Sequence, residues 1–300
     1  MFFGGNMRKR NLNIFYKRTI LQVIFLIIVC FVFSGVKPVF AMPFYNLEPK
    51  DIVLRAEFST DYSKSQEERK HNIKLAAKSI DKCLIDVGGE FSFNKTVGAR
   101  TEKRGYKSAK IIVKGEFVEG VGGGVCQVST TLYNAALLSG LKITESHPHS
   151  LSVNYVSLSF DAMVNSGSAD LRFINTTKNP LIIRAFADGS TLKIKIYGEK
   201  MQEKYFRKTV IKEELIPEYS VVEDVLGEYP DLYVGETKIL SYGKKGYISE
   251  GYLYKTVNGK TTGVRIRRDK YLPINGTKIT GTTFPPLITD LAEATEDNAG

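Results

Sequence analysis

The stretch "GGGVCQVSTTLYNAALLSG", residues 122–140, constrains the fold more than any other part of the chain. Three glycines run into Cys126, and a helix is expected from about Cys126 to Ser139. Val128, Leu132, Ala135, Ala136 and Leu138 give that helix apolar faces, so it should be buried by the elements around it. Gly140 stands where a left-handed C-cap is wanted.

The neighbouring segments supply the cover. "IVLRAEFST" (52–60) reads as a strand, and "SQEERKHNIKLAAKSIDKCL" (65–84) reads as an amphipathic helix. Ser65 and Glu68 have capping-box spacing, and Ile73, Ala76, Ala77, Ile80 and Leu84 should face the core. "VGGEFSFN" (87–94) is a turn into an apolar segment, and "AKIIVKGEFVEGVGGG" reads as strand, turn and a second extended piece. After the cysteine helix, strands are expected at "SLSVNYVSL" (150–158), "ADLRFIN" (169–175), "LIIRAFA" (181–187) and "TLKIKIYG" (191–198). Asp188-Gly189-Ser190 is a hairpin signal, and Leu192, Ile194 and Ile196 alternate with Lys193 and Lys195. Residues 52–198 therefore read as an α+β domain, two helices packed on an antiparallel sheet. Residues 207–283 are strand-rich and punctuated by glycines, with a turn signal at Asn258-Gly259, as in a small, extended all-β module. Residues 286–300 are acidic and rich in small residues, the composition of a disordered tail.

The formal charge of +10 comes largely from one end. Residues 1–41 carry Arg8, Lys9, Arg10, Lys17, Arg18 and Lys37 and no acid; without them 36 basic face 32 acidic residues, a net +4. That distribution argues topology and against a nucleic-acid partner. A basic flank, the apolar run from Ile20 to Val36, and Ala41 after "VF" fit a cleaved signal peptide or an uncleaved N-terminal membrane anchor. Either would put the remainder outside the cytoplasm. The part beyond residue 41 keeps only Cys83 and Cys126, which in an exported protein could pair.

"FSFNKTVG", "GGGVCQVSTTLYNAAL" followed by "GL", His149-Ser150, Asp161-Ala162, and "DLRFIN" followed by "NPLIIRA" resemble the VanW family in that order. The resemblance covers about residues 52–198, and the β module resembles the five-glycine (G-five) domain of cell-wall enzymes and surface adhesins. It implies an exported cell-envelope protein of the Gram-positive type, with peptidoglycan or another wall polymer as partner, and little about activity. Two departures stand out. Glu145 is followed by Ser146 where the family commonly has arginine, and the Asp-Ala pair sits in "LSFDAMV" without the family's usual glycine and threonine.

Cys126 at a helix N-terminus has unpaired N–H groups and the positive end of the dipole nearby, both of which favour a thiolate. A nucleophilic cysteine needs a base and a group that orients it. His149, followed by Asp161, is the candidate pair, with Glu145 the alternative partner for a histidine. A nucleophile on a helix start with partners on following strands resembles the papain-like plan of transglutaminase-like and NlpC-type peptidases. Gln127 is a candidate oxyanion donor. Gly122, Gly123, Gly124, Ser129, Asp170 and Arg172 are candidate binding residues. Each has a plainer reading: Cys126 as an apolar plug, His149 as a core histidine, Asp161 as a turn cap, Ser129 with Thr130 and Thr131 as first-turn caps, and Asp170 with Arg172 as a surface pair. His147, His149 and one cysteine do not make a metal set, and no phosphate- or dinucleotide-binding loop is present, so no cofactor is expected. Two functions fit: a thiol amidase, peptidase or transpeptidase acting on peptidoglycan, or a non-catalytic wall-binding protein with a structural Cys126.

Overall fold

The computed structural model describes residues 52–285 apart from Lys114. The expected N-terminal segment (1–41) and acidic tail (286–300) lie outside the described residues. Among those described, no helix is long and apolar enough to cross a membrane.

The fold is mostly β with few helices. Strand β1 (Val53–Asp61) pairs antiparallel with β9 (Thr191–Gly198), which pairs with β8 (Leu181–Ala187), which pairs in turn with the short β2 (Leu84–Ile85). Leu192, Ile194 and Ile196 are fully buried, and the lysines between them face outward, as their alternation requires. Helix α1 (Glu67–Ile80) lays Ile73, Ala76, Ala77 and Ile80 onto the same core. Leu84 lies beyond the helix, in β2. The capping box does not form: Gln66 is the N-cap, and the Ser65 hydroxyl accepts from Arg69 instead (2.7 Å).

A second antiparallel sheet joins β3 (Glu90–Ser92), β7 (Arg172–Ile174) and β6 (Lys142–Glu145), with short helix α2 (Phe93–Val97) following β3. The hairpin of β4 (Ser108–Val113) and β5 (Glu116–Val121) leads into the glycine loop and helix α3 (Val125–Leu138). Helix α3 packs on β1, β9 and α1 and is buried almost throughout. Gly140 ends it in the left-handed region at φ 70°, its N–H donating to the Leu137 carbonyl while Leu141 donates to that of Ala136.

Buried polar groups on such a helix need partners, and they find them in the chain that follows β6. Ser129 Oγ donates to the Ala162 carbonyl (2.5 Å), the Ala162 N–H donates to Thr130 (2.9 Å), and Asn134 donates to the Phe160 carbonyl (2.8 Å). Residues 150–158, expected as a strand, are irregular. They belong to a long loop closed at its base by a bridge between His147 and Met163.

Beyond Gly198, β10 (Lys204–Leu215), β13 (Gly246–Val257) and β14 (Lys260–Tyr271) form an extended antiparallel sheet, with Asn258-Gly259 at the β13–β14 turn. A further sheet joins β11 (Tyr219–Glu223), β15 (Gly276–Thr280) and β12 (Thr237–Ser241), β11 and β15 running parallel. The extended sheet grips the 147–163 loop. Thr209 donates to the Leu158 carbonyl (2.6 Å), Ser159 pairs with Ser249 (2.8 Å), and the Arg207 guanidinium lies over Phe160 (4.8 Å) and Phe58 (4.5 Å).

Candidate functional site

Cys126 is the second residue of α3, delivered by a loop that only glycine can make. Gly124 has φ 103°, and a Cβ on Gly123 would lie 2.7 Å from the carbonyl oxygens of both Ala109 and Lys110. These glycines pack β4 and α1 against the helix start. Gly123 is buried there, which removes it as a ligand contact.

The Cys126 thiol donates to the Val164 carbonyl (3.3 Å) and accepts from the Val164 N–H (3.5 Å). His149 lies near enough for its charge to act on this sulfur. His149 is buried and donates from Nδ1 to Asp161 Oδ2 at 2.7 Å; its backbone N–H donates to the same oxygen at 2.7 Å. A carboxylate only accepts, so Nδ1 carries the proton and Nε2 is left for the sulfur side. Both partners come from the closed loop, not from strands: the His147–Met163 bridge and the α3 hydroxyls fold His149 and Asp161 back over Cys126.

Electrostatics reinforce the geometry. Burial pushes the Cys126 thiol up, but the His149 hydrogen bond and charge, the Val164 N–H and the Arg100 charge outweigh it, and its pKa falls below the ordinary value. Burial opposes protonation of His149, yet the bonds to Asp161 and Cys126 raise its pKa to about 9. Burial likewise opposes ionisation of Asp161, and the His149, Arg267 and Tyr271 partners hold it down at about 2. Both shifts favour a proton on the imidazole and its loss from the sulfur. Cys126 remains partly exposed. Tyr155 lies beside it, its hydroxyl pushed up by burial and by the neighbouring charges. Arg69 and Arg100 add positive charge around the sulfur.

The other candidate residues are committed elsewhere. The Gln127 side chain is buried, donates to Thr60 (3.0 Å) and the Asp61 carbonyl (2.9 Å), and accepts from Arg69 (2.8 Å), so its amide is not free to serve an oxyanion. Ser129 is consumed by the Ala162 carbonyl. Asp170 is buried and takes Ser92 Oγ and the N–H groups of Asn94 and Leu171, which braces the start of α2. Arg172 pairs with Asp170, Glu90 and Glu145. Glu145 also binds His147 (2.9 Å) rather than His149. Cys83 and Cys126 are both free thiols, so the pair does not form.

Two residues absent from the sequence reading complete the cluster. Tyr271 Oη donates to Asp161 Oδ1 (2.6 Å), and Arg267 donates from Nη2 to the same oxygen (3.0 Å) and from Nη1 to the Asp161 carbonyl (2.6 Å). Both come from β14. The signal was available in "RIRRDKY": strand periodicity puts Arg267, Asp269 and Tyr271 on one face, and a face carrying three polar groups is unusual for a core-facing strand.

Residues 68–197 match the family model described as "VanW like protein". The YoaR protein of Bacillus subtilis (strain 168) is 44% identical over 176 residues, 56% of this chain and 58% of that protein. The vancomycin B-type resistance protein VanW of Enterococcus faecalis (strain ATCC 700802 / V583) is 27% identical over 151 residues, 47% of this chain and 54% of that protein. The matched part thus spans just over half the length of these curated relatives. Among solved structures, HP0197-G5 aligns with 27% of this chain and 100% of its own at 20% identity and TM-score 0.17. The IgA1 protease G5 domain aligns with 28% and 95% at 20% identity and TM-score 0.19.

Proposed function

From a chain that is VanW-like over residues 68–197, we propose a cell-wall-associated thiol enzyme that hydrolyses or transfers amide bonds of peptidoglycan peptides. The observation that carries this reading is the buried His149–Asp161 pair, with Nδ1 to Oδ2 at 2.7 Å, set beside a thiol whose pKa the histidine lowers. In this mechanism the Cys126 thiolate attacks an amide carbonyl and a C–S bond forms. The carbonyl electron pair moves to oxygen. As the tetrahedral species collapses, the C–N bond breaks and the leaving amine takes the proton of His149. Neutral His149 then removes a proton from water or an acceptor amine, which attacks the thioester and frees the thiol. Asp161 holds the ring and balances the imidazolium throughout.

With Gln127 spent, the oxyanion falls to the backbone. Val125 and Gln127 donate to the Gly122 and Gly124 carbonyls, and among the described residues no carbonyl accepts the Cys126 N–H. A nucleophile on a helix start ahead of its histidine and its carboxylate has the papain-like order, here with both partners on a loop. The test is incubation with soluble wall peptides. The chain should release or exchange an amine and the Cys126→Ala chain should not; equal activity in both would end this reading.

A second reading rests on a different sheet. Val221, Val222, Ile239 and Leu240 on β11 and β12, and Tyr242 beyond, are exposed apolar side chains suited to holding a wall polymer. Retention of the chain on purified cell wall after Cys126→Ala, with no products, would favour binding alone; no retention would remove it.

A further inference from the structure

We propose that Arg267 and Tyr271 are positioning residues for the thiol site, so that the β region after residue 198 completes a nucleophile carried by the region before it. This rests on the thiol reading above. Asp161 has two oxygens with separate duties: Oδ2 takes both donors of His149, and Oδ1 takes Tyr271 Oη (2.6 Å) and Arg267 Nη2 (3.0 Å). A buried carboxylate with a vacant oxygen would turn toward other donors or take up a proton. Filling Oδ1 from β14 leaves Oδ2 a single orientation, the one that faces the ring.

The supporting groups are themselves fixed. Tyr271 Oη accepts from the Ser159 N–H (2.8 Å), which pins the chain two residues before Asp161. Arg267 is held by Asp269 Oδ2 (2.9 Å), lies over the Tyr133 ring of α3 (5.7 Å), and also fixes the Asp161 carbonyl. Tyr271 is buried almost completely and Arg267 is largely covered. Other contacts tie the same sheet to the same loop without touching Asp161, among them Thr209 to the Leu158 carbonyl and Leu272 N–H to the Ser150 carbonyl. Joining the two regions therefore does not require a carboxylate at this point.

The charged and titratable groups around the pair come from every side. Arg267, Asp269 and Tyr271 approach from β14, and Tyr133 and Cys126 from α3. Tyr155 comes from the loop, Arg69 from α1, and Arg100 from the chain after α2. Of these, only Arg267 and Tyr271 touch Oδ1.

The experiment is the pH dependence of Cys126 alkylation by iodoacetamide in the full chain, read by peptide mass so that Cys30 and Cys83 are distinguished. Tyr271→Phe and Arg267→Gln are compared with Arg267→Lys and with Thr209→Ala, a cut at the same contact that spares Asp161. A rise of one unit in the thiol midpoint lowers the rate at pH 6 by about tenfold. The expected result is a rise of at least that size in Tyr271→Phe and Arg267→Gln, partial rescue in Arg267→Lys, and an unmoved midpoint in Thr209→Ala despite its lower melting temperature. An unmoved midpoint in folded Tyr271→Phe overturns the proposal, whether or not Arg267→Gln folds. If the unsubstituted chain itself titrates as an ordinary thiol near 8.5, the thiol reading fails, which is a different result from its being depressed and insensitive to β14.

Discussion

In the proposed thiol site, the acid–base character follows from how Cys126, His149 and Asp161 shift one another. Asp161 makes His149 easier to protonate, and protonated His149 makes Cys126 easier to ionise. The two titrations therefore bracket the working range. Acid returns a proton to sulfur; alkali removes the imidazolium as pH passes about 9, the value to which His149 is raised. Turnover of wall peptides should accordingly fall on the alkaline side with a midpoint near 9, measured as initial rate against pH. A midpoint near the ordinary histidine value would mean that Asp161 does not act on His149. The residues of this chain of contacts were legible before the structure because they are scarce: a glycine loop ahead of a cysteine, and few histidines. Gln127 was misread because its amide partners, Thr60 and Asp61, lie on a strand more than sixty positions earlier. Local spacing carries no trace of them.

Helix α3 shows why a packing joint and an activated thiol are compatible. The glycine loop brings β4 and α1 against the helix start, and the same tightness fixes the Cys126 N–H and sulfur in place. Gly123→Ala should cost roughly 1–3 kcal/mol, since neither carbonyl 2.7 Å away belongs to a flexible side chain. Urea denaturation would measure it, and an unchanged midpoint would show that β4 yields freely. The two long helices and the β8–β9 hairpin could be read from periodicity and turn residues, whereas the short helix α2 could not. The segment 150–158 could not, because Leu151, Val153 and Tyr155 alternate as in a strand. In place of strand pairing its carbonyls take single donors from distant elements: Leu272 N–H at Ser150, Lys244 Nζ at Ser152 and Thr209 Oγ1 at Leu158. That competition is tertiary and invisible in a short window.

At the scale of the molecule, Asp161 is one place where the two regions meet. Its depressed pKa means that its stabilising contribution is present above the ordinary carboxylate value of 3.8 and is lost as pH falls through about 2. Acid titration should leave the 147–163 loop protected from proteolysis until that window, and Asp161→Ala should lose protection at neutral pH. The alteration removes one of the two carboxylates that pair with Arg267 and leaves it Asp269, at a cost of about 1.5–3 kcal/mol for the charged hydrogen bonds lost. A loop equally protected in Asp161→Ala would show that the other contacts suffice. The extended β region was expected from composition, and its contact with the thiol site was not, because Arg267 and Tyr271 lie more than one hundred positions from Asp161.

A thiol mechanism passes through a covalent acyl intermediate on Cys126. Intact-mass measurement after rapid acid quenching of the chain with soluble wall peptides would reveal it. An acyl adduct mapped to Cys126 is expected, absent in Cys126→Ala and strongly reduced in His149→Ala. Product formation without such an adduct, or with undiminished yield from Cys126→Ala, would contradict it.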